Sequence, residues 1–150
     1  MPAPGFGIHD LSRTTLDSAN HLPRFNMPLE LGVFLGAKRF GSAKQRAKAC
    51  LILDREPYRY QVFCSNIAGQ DIRAHGNDGQ RAIALVRDWL RTTRRTGTKN
   101  IPGGARISER YTQFRTQLPN ACGSSGLEIG SLIFLDYRTL VEVWLRENAW

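Results

Sequence analysis

The order of apolar and polar positions along the chain separates short continuous apolar runs from longer stretches with a helical repeat. ACLILD, residues 49–54, is apolar on both faces and bounded by charge, the pattern of a central parallel strand. Near the start, Phe6 to Ile8 form a shorter run that ends at His9-Asp10, as a strand ends. The stretch LSRTTLDSANHLPRF has no useful periodicity and reads as a loop. After it, NMPLELGVFLGAKRFG predicts a helix over 27–39, with Asn26 or Met27 as cap, Pro28 in the first turn and Gly41 closing it. SAKQRAKA continues it as a short exposed extension.

Further on, Tyr58, Tyr60, Val62 and Phe63 suit a short helix or strand, and DIRAH another short strand. DGQRAIALVRDWLRTTRR, 78–95, predicts an amphipathic helix with Ala82, Val86, Trp89 and Leu90 on one stripe and Asn77 or Asp78 as cap. GTKNIPGGAR reads as a flexible Gly/Pro-rich loop of the kind found over active sites or between subdomains. Helices are predicted over 108–118, broken by Pro119 and NACGSSG, and over 136–147, with Leu140, Val141, Trp144 and Leu145 inward. Strand, loop, helix, strand, helix is the order of an α/β domain with a parallel sheet. The chain reads as one domain over residues 1–150, with a helical C-terminal part.

The predicted helix at 27–39 poses a question. Met27, Leu29, Leu31, Val33, Phe34, Leu35 and Ala37 make it apolar almost all round, which assigns it to an interior. Glu30 nevertheless sits in what should be its first turn. A carboxylate there can simply complement the helix dipole, worth about 0.3–1 kcal/mol. Against that, Gly32 and Gly36 are expected to let the helix approach the sheet closely, and Arg24-Phe25-Asn26 places a cation, a ring and an amide beside the carboxylate. Ligands of parallel sheets bind at the carboxyl ends of strands, where Asp10 and the loop feeding Glu30 both fall.

Composition alters this picture little. The chain is 41% apolar and 23% charged, ordinary values for a globular protein. No run approaches the roughly 18 apolar residues of a membrane span. Cys50, Cys64 and Cys122 form no close pair and read as reduced thiols of a cytoplasmic protein. The net charge of +8 gathers in Lys38/Arg39/Lys44/Arg46/Lys48 and Arg91/Arg94/Arg95/Lys99. No nucleic-acid motif accompanies it, so a solvated face outweighs a nucleic-acid surface. His9, His21 and His75 lack metal-ligand spacing, and no metal or cofactor is expected. Gly103-Gly104 is too short for a phosphate loop, and Ser124-Ser125 lacks the setting of a nucleophile elbow.

One reaction suits a fixed carboxylate in a crevice. Cleaving an N-glycosidic bond builds positive charge on the ribose, which Glu30 could stabilise or attack at the anomeric carbon. Asp10 would hold a ribose hydroxyl or base edge, Phe25 would stack on a base, and Arg24 would grip a phosphate. Each has a plainer reading, as turn former, core ring and surface charge.

FGIHDLS, NMPLELGVFLGAKRFG and KACLILDRE together resemble the core of the TIR and nucleoside 2-deoxyribosyltransferase-like group over residues 6–55. Glu30-Leu31-Gly32 carries the likeness, with Glu30 at the position of the catalytic glutamate. The resemblance implies a three-layer Rossmann-like (flavodoxin-like) fold. It also implies NAD, a nucleoside or another nucleotide as substrate, bound by Asp10, Ser12, Arg24, Phe25 and Asn26. Relatives of this kind are associated with bacterial defence. The group carries a strand and helix ahead of the HDLS-like strand, and this chain starts too late to contain them. Two other readings stand beside the enzyme: a non-catalytic module that senses a nucleotide or assembles with copies of itself, and a basic nucleic-acid-binding protein.

Overall fold

The computed structural model describes residues 5–14, 16, 21–22, 24–93 and 101–149. Among them the chain is mixed α/β, with one three-stranded parallel sheet and five α-helices. It separates into two compact units, 1–104 and 105–150.

In the first unit β1 (Phe6–Asp10), β2 (Ala49–Asp54) and β3 (Ile72–Ala74) lie in the order β1-β2-β3. Asp10 pairs with Leu53, and Asp54 with Ala74, so all three strands end together. The two apolar runs are strands where the pattern placed them, and β3 is the middle of DIRAH. The last four residues of β2 are buried. A period of two sends Ile52 to one face and Leu51 and Leu53 to the other. Ile52 joins a cluster with Leu11, Tyr60, Ile67 and Leu31 of α1 (Asn26–Phe40). After the short α2 (Ala43–Arg46), Leu51 and Leu53 meet Trp89 of α3 (Gly79–Thr93). Each such fully buried side chain contributes about 1.5–3 kcal/mol.

Between β2 and β3 the aromatic stretch forms two 3-10 turns, Arg59–Val62 and Ser65–Ile67, which deliver Tyr60 and Ile67 to the core. Asp78 caps α3 as expected: its Oδ1 accepts the N–H groups of Gln80 (2.8 Å) and Arg81 (3.3 Å). Residues 94 and 95 of the predicted helix lie outside the described residues.

The helix α1 departs from expectation in three ways. It starts at Asn26, with Phe25 in the cap position and no side-chain cap bond, so Glu30 lies in the second turn. Only Leu31 is buried, while Leu29, Val33 and Phe40 are 69%, 68% and 82% exposed. The near-continuous apolar sequence suggested an interior helix, but the helix covers one face of a narrow sheet and packs along a single stripe. Nor do its glycines meet the sheet: a Cβ on Gly32 or Gly36 would have nothing within 4 Å. The close approach is made by Gly7 of β1, where a Cβ would stand 2.6 Å from the Phe34 ring.

In the second unit α4 (Gly104–Ser124) and α5 (Phe134–Glu147) share a core of Phe114, Leu118, Cys122, Leu140 and Trp144. Here Pro119 does not break the helix but lies within it. Loss of one backbone donor is outweighed because Leu118 and Cys122, on either side of the proline, both sit in the shared core. The helix stops instead at left-handed Gly126 (φ 66), where Leu127 N–H reaches back to Cys122 O at 2.9 Å. Trp144 donates its indole N–H to Gln117 Oε1 at 2.6 Å, and the Arg110 guanidinium lies 4.9 Å from the Trp144 ring centre. Leu145, expected inward, is 44% exposed.

Gly7 and Gly32 therefore predict opposite responses to alanine. Gly7→Ala should lower stability by about 1–3 kcal/mol through overpacking against Phe34. Gly32→Ala should raise it by up to about 1 kcal/mol through helix propensity. Urea unfolding of both variants checks the pair, and equal responses would contradict the packing of α1 on β1.

Candidate functional site

The three strands end within one register step of each other, and their ends carry most of the buried polar groups of the first unit. Asp54, last residue of β2, is fully buried. Its Oδ1 accepts the Arg55 N–H (2.7 Å) and the Arg59 Nε–H (2.8 Å). Arg59 Nη2 lies 2.7 Å from the same oxygen and also donates to the carbonyl of Leu11 and to Thr14 Oγ1 (3.0 Å). One guanidinium thus ties the end of β2 to the segment leaving β1. The turn that presents it holds Tyr58 in a left-handed conformation (φ 60, ψ 0), uncommon for a bulky residue, with its ring 71% exposed.

Asp10, last residue of β1, accepts the Ser12 N–H at 2.9 Å, and His75 Nε2 lies 3.4 Å from the same carboxylate oxygen. His75 follows β3 and is itself buried, its N–H bonded to Asp54 O at 2.9 Å. Burial pushes the Asp10 carboxyl upward, but the Ser12 backbone and hydroxyl hydrogen bonds and His75 outweigh it and hold the pKa below 3.8. His9 turns to the α1 side of β1, edge-on to Phe34 at 5.2 Å between ring centres. Burial lowers its pKa below 6.5, and the Glu30 charge opposes this. Buried Asp54 Oδ2, His75 Nδ1 and His9 Nε2 have no protein partner.

These contacts sort the expected site residues. Asp10 is at the strand end as read, and Ser12 is buried with its backbone N–H and hydroxyl directed at Asp10, so it holds that carboxylate in place. Glu30 is exposed, although its apolar neighbours assigned the helix to an interior, and its charge acts on His9. By strand alternation His9 and Asp10 point to opposite faces of β1, so Glu30 and Asp10 flank the strand end from two sides. Arg24, Phe25 and Asn26 are all exposed at the start of α1. Asp54, Arg59 and His75 were missed. Asp54 and His75 stand at the ends of an apolar run and of DIRAH, so the strand-end rule used for Asp10 would have found them; nothing in EPYRYQ marks Arg59.

In the first basic patch Lys38 Nζ donates to Lys48 O (2.6 Å), Arg46 to Gly41 O (2.6 Å), and Lys48 Nζ lies 5.5 Å from the Phe34 ring centre, while Arg39, Lys44 and Arg46 are exposed. Of the second, Arg94, Arg95 and Lys99 lie outside the described residues. The described end of the Gly/Pro-rich loop is held, with Arg87 donating to Pro102 O (2.9 Å) and Ile101 O (3.1 Å). Among the described residues no group of three or more His, Cys, Asp or Glu is placed to hold a metal, and no helix is long and apolar enough to cross a membrane. All three cysteines are free thiols.

No known protein family, no curated protein and no solved structure matches the chain.

Removing Arg59 leaves a fully buried carboxylate without its counter-charge. Arg59→Ala should therefore cost about 3–5 kcal/mol in urea unfolding, the range for breaking a buried pair from one side; a cost under about 1 kcal/mol would show that the pair is dispensable. The two lowered pKa values give stability a direction with pH. Above 6.5 the His9 contribution is whole, and it declines as pH falls below 6.5, because the unfolded chain takes up a proton that the folded chain resists. Asp10 contributes fully above 3.8 and loses its contribution as pH falls through its lower folded value. His9→Gln should flatten the first decline and leave the second, read from urea midpoints across the acid range.

Proposed function

We propose that the chain binds a nucleotide or nucleoside across the carboxyl end of β1 and cleaves or transfers its N-glycosidic bond, with Glu30 as the acting carboxylate. The observation that carries this reading is Glu30 itself. It is exposed, it lies in the second turn of α1, and its charge reaches His9, next to Asp10 on β1. The helix dipole acts within the first turn, so dipole complementation no longer accounts for this carboxylate. A bound ribose would remove water from Glu30 and place its carboxylate against the developing oxocarbenium charge. Asp10, fixed by Ser12 and ionised at neutral pH, is suited to accept ribose hydroxyl protons in hydrogen bonds. Phe25, 68% exposed, offers a ring for a base, and Arg24 and Asn26 offer donors to a phosphate.

The reading draws on the resemblance to the TIR and nucleoside 2-deoxyribosyltransferase-like group. The distribution of Ile52 and Leu51/Leu53 between the α1 and α3 clusters supports a three-layer Rossmann-like arrangement of the first unit, with NAD among the substrates to test. Free thiols support a cytoplasmic setting. A second reading, a nucleotide-binding module without turnover, is favoured by the exposure of Glu30 in the ligand-free chain.

Incubation with NAD and a panel of nucleosides and nucleotides, with chromatography of the products, separates the two. Glu30→Gln should reduce base release by at least about a hundredfold, as for loss of a group acting in the transition state, while ligand binding measured by calorimetry stays within a few-fold. Binding by both proteins with no free base from either leaves the non-catalytic module. Absence of any binding overturns both.

A further inference from the structure

Residues 26–46, which hold α1 and α2, carry four cations against one carboxylate, Glu30. They also leave large apolar side chains in water. Leu29, Val33 and Phe40 are exposed, and their spacing of four and seven residues sets them on one stripe of a 3.6-residue helix. At about 100° per residue, Arg39 flanks that stripe on one side and Glu30 on the other. The Arg39 guanidinium lies 5.7 Å from the centre of the Phe40 ring. Beside Arg39 is a groove of about 350 Å3, with Lys38 and Arg39 contributed by α1 and Asn66 and Gln70 by the segment after β2. One Lys38 N–H goes to Lys48 O, which leaves two donors on that ammonium. Lys44 and Arg46 of α2 are exposed just past the helix end.

We propose that this side of α1 docks on an anionic lipid surface. Leu29, Val33 and Phe40 enter among the acyl chains, and Lys38, Arg39, Lys44 and Arg46 meet lipid phosphates. Charge complementarity selects the occupant. A helix lying in a membrane interface buries an apolar stripe by about 5–10 Å and holds Lys and Arg beside it, at the depth of the headgroups. Around the axis of α1 the order is the same: stripe, then Arg39, then the basic groove. The groove offers an ammonium and a guanidinium from one element and two side-chain amides from another, donors suited to phosphate oxygens. The 15 residues of α1 span about 22 Å, short of the roughly 30 Å of a hydrocarbon core, so the helix lies along the surface and does not cross it. Single-stranded nucleic acid would use the same cations and the Phe40 ring, but it has no counterpart for Leu29 and Val33. A second copy of a chain with net charge +8 would bring like charge against like. The contact goes beyond the ligand reading and does not depend on it, since neither Asp10 nor Glu30 takes part.

Flotation with vesicles tests it, phosphatidylcholine alone against phosphatidylcholine with about a third phosphatidylserine. The wild type should favour the anionic vesicles by at least about tenfold, with the preference shrinking as salt rises. Arg39→Gln and Lys44→Gln should each lower binding about fivefold, the worth of one cation near an anionic surface. Val33→Glu and Phe40→Glu, both at exposed positions, should each lower it at least about tenfold with unchanged circular dichroism. Phe40→Trp gives a readout that needs no disruptive change: its added emission should shift to the blue on anionic vesicles and be quenched by brominated acyl chains. No flotation with anionic vesicles overturns the proposal, and retention of a single-stranded oligonucleotide in their place assigns the basic corner to nucleic acid. Binding that Val33→Glu and Phe40→Glu leave unchanged also overturns it, since the stripe then stays in water and charge alone holds the protein.

Discussion

The buried pair of Asp54 and Arg59 is the constraint on which the upper end of the sheet depends. A carboxylate with no exposure, at the end of the central strand, is untenable unless a cation and several donors reach it. Arg59 does so from a turn that strains Tyr58, and the same guanidinium fastens the Leu11 carbonyl and Thr14. The segment leaving β1 is therefore held against β2. That in turn fixes Ser12, which fixes Asp10, which His75 approaches from the end of β3. The chemistry at the strand ends rests on one interaction that itself need not touch a ligand.

Helix α1 presents two different faces. One stripe, centred on Leu31, seals the sheet and crowds Phe34 against Gly7 and His9. The opposite stripe, from Phe25 to Phe40, lies in solvent. Glu30 falls between these stripes, near enough to act on buried His9 and still open to solvent. A residue so placed can meet a ligand at the strand end without giving up its charge to the core, which is what a reading based on burial alone would have required.

The helical unit shows how packing overrides local preference. Pro119 is a strong helix breaker by composition, yet α4 continues through it because Phe114, Leu118 and Cys122 all belong to the core shared with Leu140 and Trp144. One missing backbone bond is small beside the burial of those side chains. The stop comes at Gly126, where a left-handed residue closes the last turn.

The apolar run of β2, buried on both faces, and the 3.6-residue stripe of α3 were enough to place those elements, and a short apolar run ending in His9-Asp10 placed β1, of which only one face is buried. Asp10, Asp78 and the Trp89 stripe were legible for the same reason: their roles depend on neighbours in sequence. Which apolar residues of α1 are buried was not legible, since Leu29, Leu31 and Val33 are chemically alike and only the width of the sheet decides which one is covered. Arg59 was equally silent, because its partners are Asp54, five residues before it, and Leu11, forty-eight residues before it, and pairing across such distance leaves no local trace. Local sequence determined where strands and helices form; the fold alone decided which polar groups meet at their ends, because burial and charge pairing are properties of neighbours in space.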